Sequence, residues 1–98
     1  MNEKVESIIL KIESIVADQV KGDYKLFLFG SRANGKSIER SDIDIAIMTN
    51  RKVDPSILAE IRENIENIST LLKIDFVDLS TVDADFRNHV LETGNRLD

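Results

Sequence analysis

The 98-residue sequence contains no cysteine, no tryptophan, one proline and one histidine. Without cysteine there is no disulfide framework and no thiolate metal site. A single histidine excludes a histidine-rich zinc centre. Aromatic residues are few (four Phe and one Tyr), which argues against a sheet that stacks bases on rings. Basic residues are outnumbered by acidic ones, 13 to 18, for a net charge of −5. That balance opposes general nucleic-acid binding, which needs a basic surface. No apolar run approaches a membrane span. The first stretch is acidic and amphipathic, unlike a basic-then-apolar leader, so the expectation is a cytosolic protein.

What is present suits one small domain, 1–98, with no repeat, low-complexity tract or linker. Hydrophobic residues make up 42%, enough for a modest core. Four glycines and one proline leave most of the chain to regular structure. Val5, Ile8, Ile9, Ile12, Ile15, Val16 and Val20 recur at helical spacing, with Glu3, Glu6, Lys11 and Glu13 on the other side. Gly22 and Asp23 end that helix. Residues 25–29 (KLFLF) read as a buried strand, and 30–41 as a polar loop with one helical turn near Ser31 to Asn34. Residues 42–48 (DIDIAIM) alternate as a strand does. Asp54-Pro55 opens a second helix, with a stripe of Ile57, Leu58, Ile61, Ile65, Ile68 and Leu72. Its wet side carries Glu60, Arg62, Glu63, Glu66 and Asn67. Residues 73–79 (KIDFVDL) form a third strand, and Ser80 or Thr81 caps a last helix holding Phe86 and Val90. The sum is an α+β (mixed α/β) domain: a small mixed sheet of about three strands with helices packed on it.

Three features fall on neighbouring elements. Gly30-Ser31 directly follows a strand, where a glycine lets the backbone turn and approach a ligand. N–H groups and a hydroxyl there suit phosphate oxygens. Asp42 and Asp44 stand two apart at a strand start, on one face, with Cα atoms about 6–7 Å apart. Taken alone, such a pair reads first as two solvated acids at an exposed strand end. A divalent cation between them would relieve their repulsion, and hard oxygen ligands suit Mg²⁺. Asp75 lies between Ile74 and Phe76, and an acid in an apolar strand costs several kcal/mol unless paired or metal-bound. Strand parity groups Asp75 with Val77 and Leu79, and leaves Asp78 facing away in a structural or solvent-facing role. If the second and third strands are neighbours, Asp42, Asp44 and Asp75 form one site. Three carboxylates can hold two metal ions about 3.5–4 Å apart, as nucleotidyl transfer requires.

Gly30-Ser31, ten further residues, then Asp42-x-Asp44 resembles the signature of the polymerase-beta-type nucleotidyltransferase superfamily. The stretch FGSRANGKSIERSDIDIAI, with Arg32, Gly35 and Ser41, is similar to its minimal members, and KIDFVDL to their third-acid strand. The resemblance covers nearly the whole chain. It implies the nucleotidyltransferase fold, with helices mainly on one face of the sheet. It implies that Gly30 and Ser31 contact the triphosphate, that Asp42 and Asp44 ligate Mg²⁺, and that Asp75 completes the site beside the acceptor hydroxyl. It further implies a HEPN-domain toxin as partner and ATP as substrate. AMP would pass to a tyrosine of that toxin and silence its RNase, making this chain an antitoxin. Two other functions fit the same residues: an antitoxin that only occludes its partner, and a transferase subunit that modifies a small molecule with a separate substrate-binding protein.

Residues 30–37 also satisfy the P-loop string G-x-x-x-x-G-K-[ST]. A P-loop lysine opens a helix of several turns, and the four residues between Ser37 and Asp42 leave no room for one. Lys36 and Arg40 are then loop cations, able to touch phosphate or a partner or simply to be solvated. Arg32 is placed to pair with a triphosphate oxygen or with a surface acid. His89, far in sequence from the acids, is assigned a surface or structural role. Arg87-Asn88-His89 lacks the Arg-x4–6-His spacing of HEPN nucleases, which makes this the transferase-like half of such a pair. Tyr24 packs at a strand start. Ala46, Met48, Val77 and Leu79 continue the acid-bearing face, and with the three helices expected on the opposite face a partner protein would cover part of that surface and supply the acceptor hydroxyl.

Overall fold

The computed structural model describes residues 3–33, 35 and 41–97. Lys36 and Arg40, with their expected roles as loop cations, therefore lie outside the described residues, as does Asn34. The amphipathic stretch forms helix α1 (Glu3–Gln19), whose Val5, Ile8, Ile9, Ile12 and Val16 are buried. Strand β1 (Tyr24–Phe29) runs into a 3-10 turn (Gly30–Arg32), and β2 (Ile43–Thr49) follows. Helix α2 (Pro55–Glu66) starts as its sequence predicts, with the Asp54 carboxylate accepting from the Ser56 N–H at 2.8 Å. It stops six residues before Leu72, so Ile68 and Leu72 pack against the core from the connection and not from the helix.

Strand β3 (Ile74–Asp78) leads to helix α3 (Ala84–Thr93). The cap of α3 is Asp83, whose carboxylate accepts from the Phe86 N–H, and neither Ser80 nor Thr81 serves. Both are engaged one turn earlier. The Asp78 carboxylate accepts from Ser80 N and Oγ, at 2.9 and 2.8 Å, and the Asp78 carbonyl accepts from Thr81 Oγ1 at 2.8 Å. Its other oxygen accepts from the Val53 N–H at 3.0 Å, across from the start of α2. Asp78 is 1% exposed, so the structural alternative holds for it. Asp78→Ala should strand the buried Val53 N–H and cost about 3 kcal/mol. A thermal melt should show the midpoint falling by more than ~10 °C, and a variant melting with the wild type would refute this role.

The sheet order is β3-β2-β1-β4, where β4 (Asn95–Arg96) is a strand additional to the three expected from sequence. Two residues are too short to carry a period, which is why only the backbone pairing with Phe27 and Leu28 reveals it. β1 pairs antiparallel with both β2 and β4, and β2 pairs parallel with β3. The antiparallel β1–β2 pairing excludes the P-loop reading, which needs a helical crossover to a parallel strand.

Alternation sorts the sheet into two faces. Leu26, Leu28, Ile43, Ile45, Ile47 and Phe76 pack with α1 and α2. Phe27, Ala46 and Leu79 pack with Val90 of α3, flanked by Phe29, Met48, Val77, Val82 and Phe86. Two of the three helices thus share one face, and the third crosses to the other. The expectation that all three helices fill the opposite face is corrected accordingly. Ala46 and Leu79 are fully buried beneath the chain's own α3.

Candidate active site

At the end of β1 the backbone turns abruptly. Phe29 is extended and Gly30 takes φ +75°, a conformation that side chains disfavour. The Ala33 N–H donates to the Gly30 carbonyl at 3.1 Å and closes the turn that carries Ser31. The glycine is required twice over, because a Cβ at position 30 would stand 2.4 Å from Asp44 Oδ2. The phosphate-type loop and the carboxylate are therefore in direct contact.

Asp44 lies on β2 with Phe29 opposite it on one side and Asp75 on the other. The parallel register that pairs Asp44 with Asp75 makes the neighbouring-strand condition of the sequence analysis true. Asp42 lies one residue ahead of β2 and is exposed. Arg32 donates from Nε and Nη2 to the Ser41 carbonyl, at 3.1 and 2.7 Å. It ties the turn to the residue just before Asp42, so it holds the two halves of the motif together.

The electrostatics record the crowding. The Asp44 carboxyl is raised from 3.8 to about 6. Burial contributes most, then a side-chain hydrogen bond with Asp75, then the charges of Asp75 and Asp42, with Lys73 opposing. Lys73 Nζ stands 3.9 Å from Asp75 Oδ1, with side chains 70% and 46% exposed. Such an exposed pair is worth little. Asp44 is thus an acid that its surroundings resist ionising. A divalent cation would relieve that cost, and the all-oxygen donor set of these carboxylates is of the kind that suits a hard ion. Among the described residues no three His, Cys, Asp or Glu side chains already stand together as a metal site.

An open cleft of about 610 Å³ adjoins the acids, lined in part by Phe29, Asp44, Asp75, Val77 and Phe86. Phe29 and Phe86 meet edge to face, with ring centroids 5.7 Å apart. Arg62 of α2 reaches its rim and donates to the Phe76 carbonyl, at 3.2 and 2.8 Å. The sequence offered no sign of these three as site residues. Phe86 read only as a residue of the last helix, Phe29 as strand and Arg62 as a solvated helix face. His89 is exposed on α3, and Tyr24 starts β1 at the end away from Gly30. Neither lines the cleft.

Comparisons with known proteins bear on this arrangement. Residues 10–97 match the family described as "Polymerase beta, Nucleotidyltransferase". A Haemophilus influenzae protein, named as a probable protein adenylyltransferase MntA, is 30% identical over 83 residues, which are 85% of this chain and 73% of that protein. The solved structure of a toxin–antitoxin with AMP-PNP superposes with a TM-score of 0.71 at 25% identity, covering 89% of this chain and 69% of that one. A complex of tri-AMPylated Shewanella oneidensis HEPN toxin with MNT antitoxin gives a TM-score of 0.69 at 22% identity, over 93% and 69% of the two chains. The last agrees in fold.

Proposed function

The chain belongs to the polymerase beta nucleotidyltransferase family, and we propose that it is a Mg²⁺-dependent protein adenylyltransferase. It transfers AMP from ATP to a tyrosine of a HEPN-domain toxin and so acts as that toxin's antitoxin. The observation that carries this reading is the contact between the Gly30 turn and Asp44, with Asp75 beside it on the next strand. It puts phosphate-type donors against paired acids. The relative named as an adenylyltransferase and the complex with AMP-PNP support the same chemistry. Among the described residues no helix is long and apolar enough to cross a membrane, and we assign the reaction to the cytoplasm, where ATP is available.

The backbone of Gly30 and the hydroxyl of Ser31 hold the phosphates. Asp42, Asp44 and Asp75 are the ligands for two Mg²⁺ ions, which when bound neutralise phosphate charge and ease loss of the acceptor proton. The tyrosine Oη attacks the α-phosphorus and forms the new P–O bond. The bond to the bridging oxygen breaks, and pyrophosphate leaves with the electron pair. The phenolic proton passes to the Asp75 carboxylate. Arg32, anchored on the Ser41 carbonyl, fixes the distance between the turn and the acids. Positioning and charge neutralisation then supply most of the rate.

Incubating the HEPN partner with this chain, Mg²⁺ and ATP should add mass to the partner in AMP units. Changing Asp42 and Asp44 together to alanine should abolish the gain. If the two proteins co-elute with no mass gain, the chain neutralises by occlusion and the transferase reading is wrong. Mass added to a small molecule in place of the partner would point to a subunit of a different transferase.

A further inference from the structure

Beyond Asp75 the sheet ends, because β3 is an edge strand. The 610 Å³ cleft lies along this edge and reaches round to Arg62 on α2. On the acid-bearing face it is walled by Phe29, Val77 and Phe86. The wall is well anchored. Phe29 belongs to a paired strand, and the Phe86 N–H is held by Asp83 Oδ1 at 2.8 Å. Two rings and a valine make a poor surface for a triphosphate, which needs donors and cations, and a good one for an aromatic ring.

The sides of the site can be assigned. The Gly30–Ser31 turn follows β1, on one flank of Asp44, whereas the cleft starts at Phe29, passes Asp44 and opens along β3 on the other flank. In displacement at phosphorus the entering and leaving oxygens stand roughly in line on opposite sides. With the leaving pyrophosphate held at Gly30 and Ser31, the acceptor oxygen enters from the β3 side. Resting on the adenylyl-transfer reading above, we infer that this cleft is the acceptor pocket, and that Phe86 selects tyrosine by packing against its ring while Asp75 meets the hydroxyl. The outer part of the cleft, along the β3 edge, takes the partner segment that flanks the tyrosine. A serine or threonine hydroxyl carries no ring for this wall and is a poor acceptor.

Val77→Phe fills the cleft from the β3 side without emptying the core, since Val77 is half-buried. Phe86→Leu keeps apolar bulk and removes the ring. In AMP transfer from Mg²⁺·ATP to the HEPN partner, Val77→Phe should raise KM for the partner at least tenfold and Phe86→Leu severalfold. KM for ATP should stay within twofold in both. A rise in KM for ATP with the partner's KM unchanged would make the cleft a nucleotide pocket and overturn the assignment. Partner affinity measured without turnover, with AMP-PNP in place of ATP, separates the two layers of the argument. If the wild type transfers no AMP but Val77→Phe still weakens partner binding, the transfer reading falls and the pocket stands. If Val77→Phe binds the partner as tightly as the wild type, the pocket falls whatever the chemistry.

Discussion

Gly30→Ala should yield a folded protein that transfers AMP on the order of 100-fold more slowly than the wild type. Two separate costs meet at this position. The first is conformational: φ is +75°, and a Cβ there costs about 1–2 kcal/mol. In a domain of this size that lowers the melting midpoint by roughly 5–15 °C. The second is steric and falls on the site, because the new methyl would stand 2.4 Å from Asp44 Oδ2. A carboxylate is the free end of a side chain, so Asp44 can swing aside and the fold survives. The geometry of the site does not survive, and a displacement of about 1 Å costs about 100-fold in rate. Gly22 provides the control. It has φ +88° at the end of α1 with nothing within 4 Å of its own added Cβ. Gly22→Ala should lose similar stability and keep its activity. Equal losses of activity in the two variants would show that strain alone is responsible and that the Gly30–Asp44 contact has no catalytic consequence.

The readability of this contact differs from that of its surroundings. Asp42, Asp44 and Asp75 could be grouped from sequence because strand parity is a strict two-residue period, and one assumption about neighbouring strands joined them. The parallel register between Asp44 and Asp75 supplies that assumption. Helices α1 and α2 were legible because their apolar stripes are long. The position of α3 was not. Its buried side amounts to Val90 with Phe86 partly covered, too short a pattern to say which face of the sheet it meets. Hence the acid-bearing face looked uncovered when α3 in fact lies over it. The cap of α3 was misplaced for a related reason. Ser80 and Thr81 are good capping residues, but Asp78 claims both in its own turn, a competition visible only in three dimensions. The acceptor-side wall was missed because Phe29 and Phe86 lie 57 positions apart in sequence and meet only when α3 packs on β1.

Asp44→Asn should separate stability from activity in opposite directions. Asp44 titrates near 6 in the folded protein and at 3.8 unperturbed. For an acid raised in this way, folding favours the protonated form. Its contribution to stability is complete below about pH 3.8 and is lost as pH climbs through about 6. At neutral pH the wild type therefore carries a carboxylate that the fold resists ionising. The full difference would correspond to about 3 kcal/mol. The side chain is only half-buried, so water still screens part of the charge and ~1 kcal/mol is the expected effect. Asparagine keeps the shape without the charge, and the metal-free variant should melt several degrees above the wild type at pH 7. At pH 4 the two should nearly coincide. Mg²⁺ should reverse the order, since it would bring positive charge to the crowded acids Asp44, Asp75 and Asp42, and it should stabilise the wild type far more than the variant. AMP transfer by Asp44→Asn should fall at least 100- to 1,000-fold, the usual loss when a group that supports transition-state charge is removed. A variant that melts below the wild type at pH 7 without Mg²⁺ would contradict the charge crowding inferred at β2 and β3. One that gains stability and also keeps its activity would remove Asp44 from the catalytic machinery.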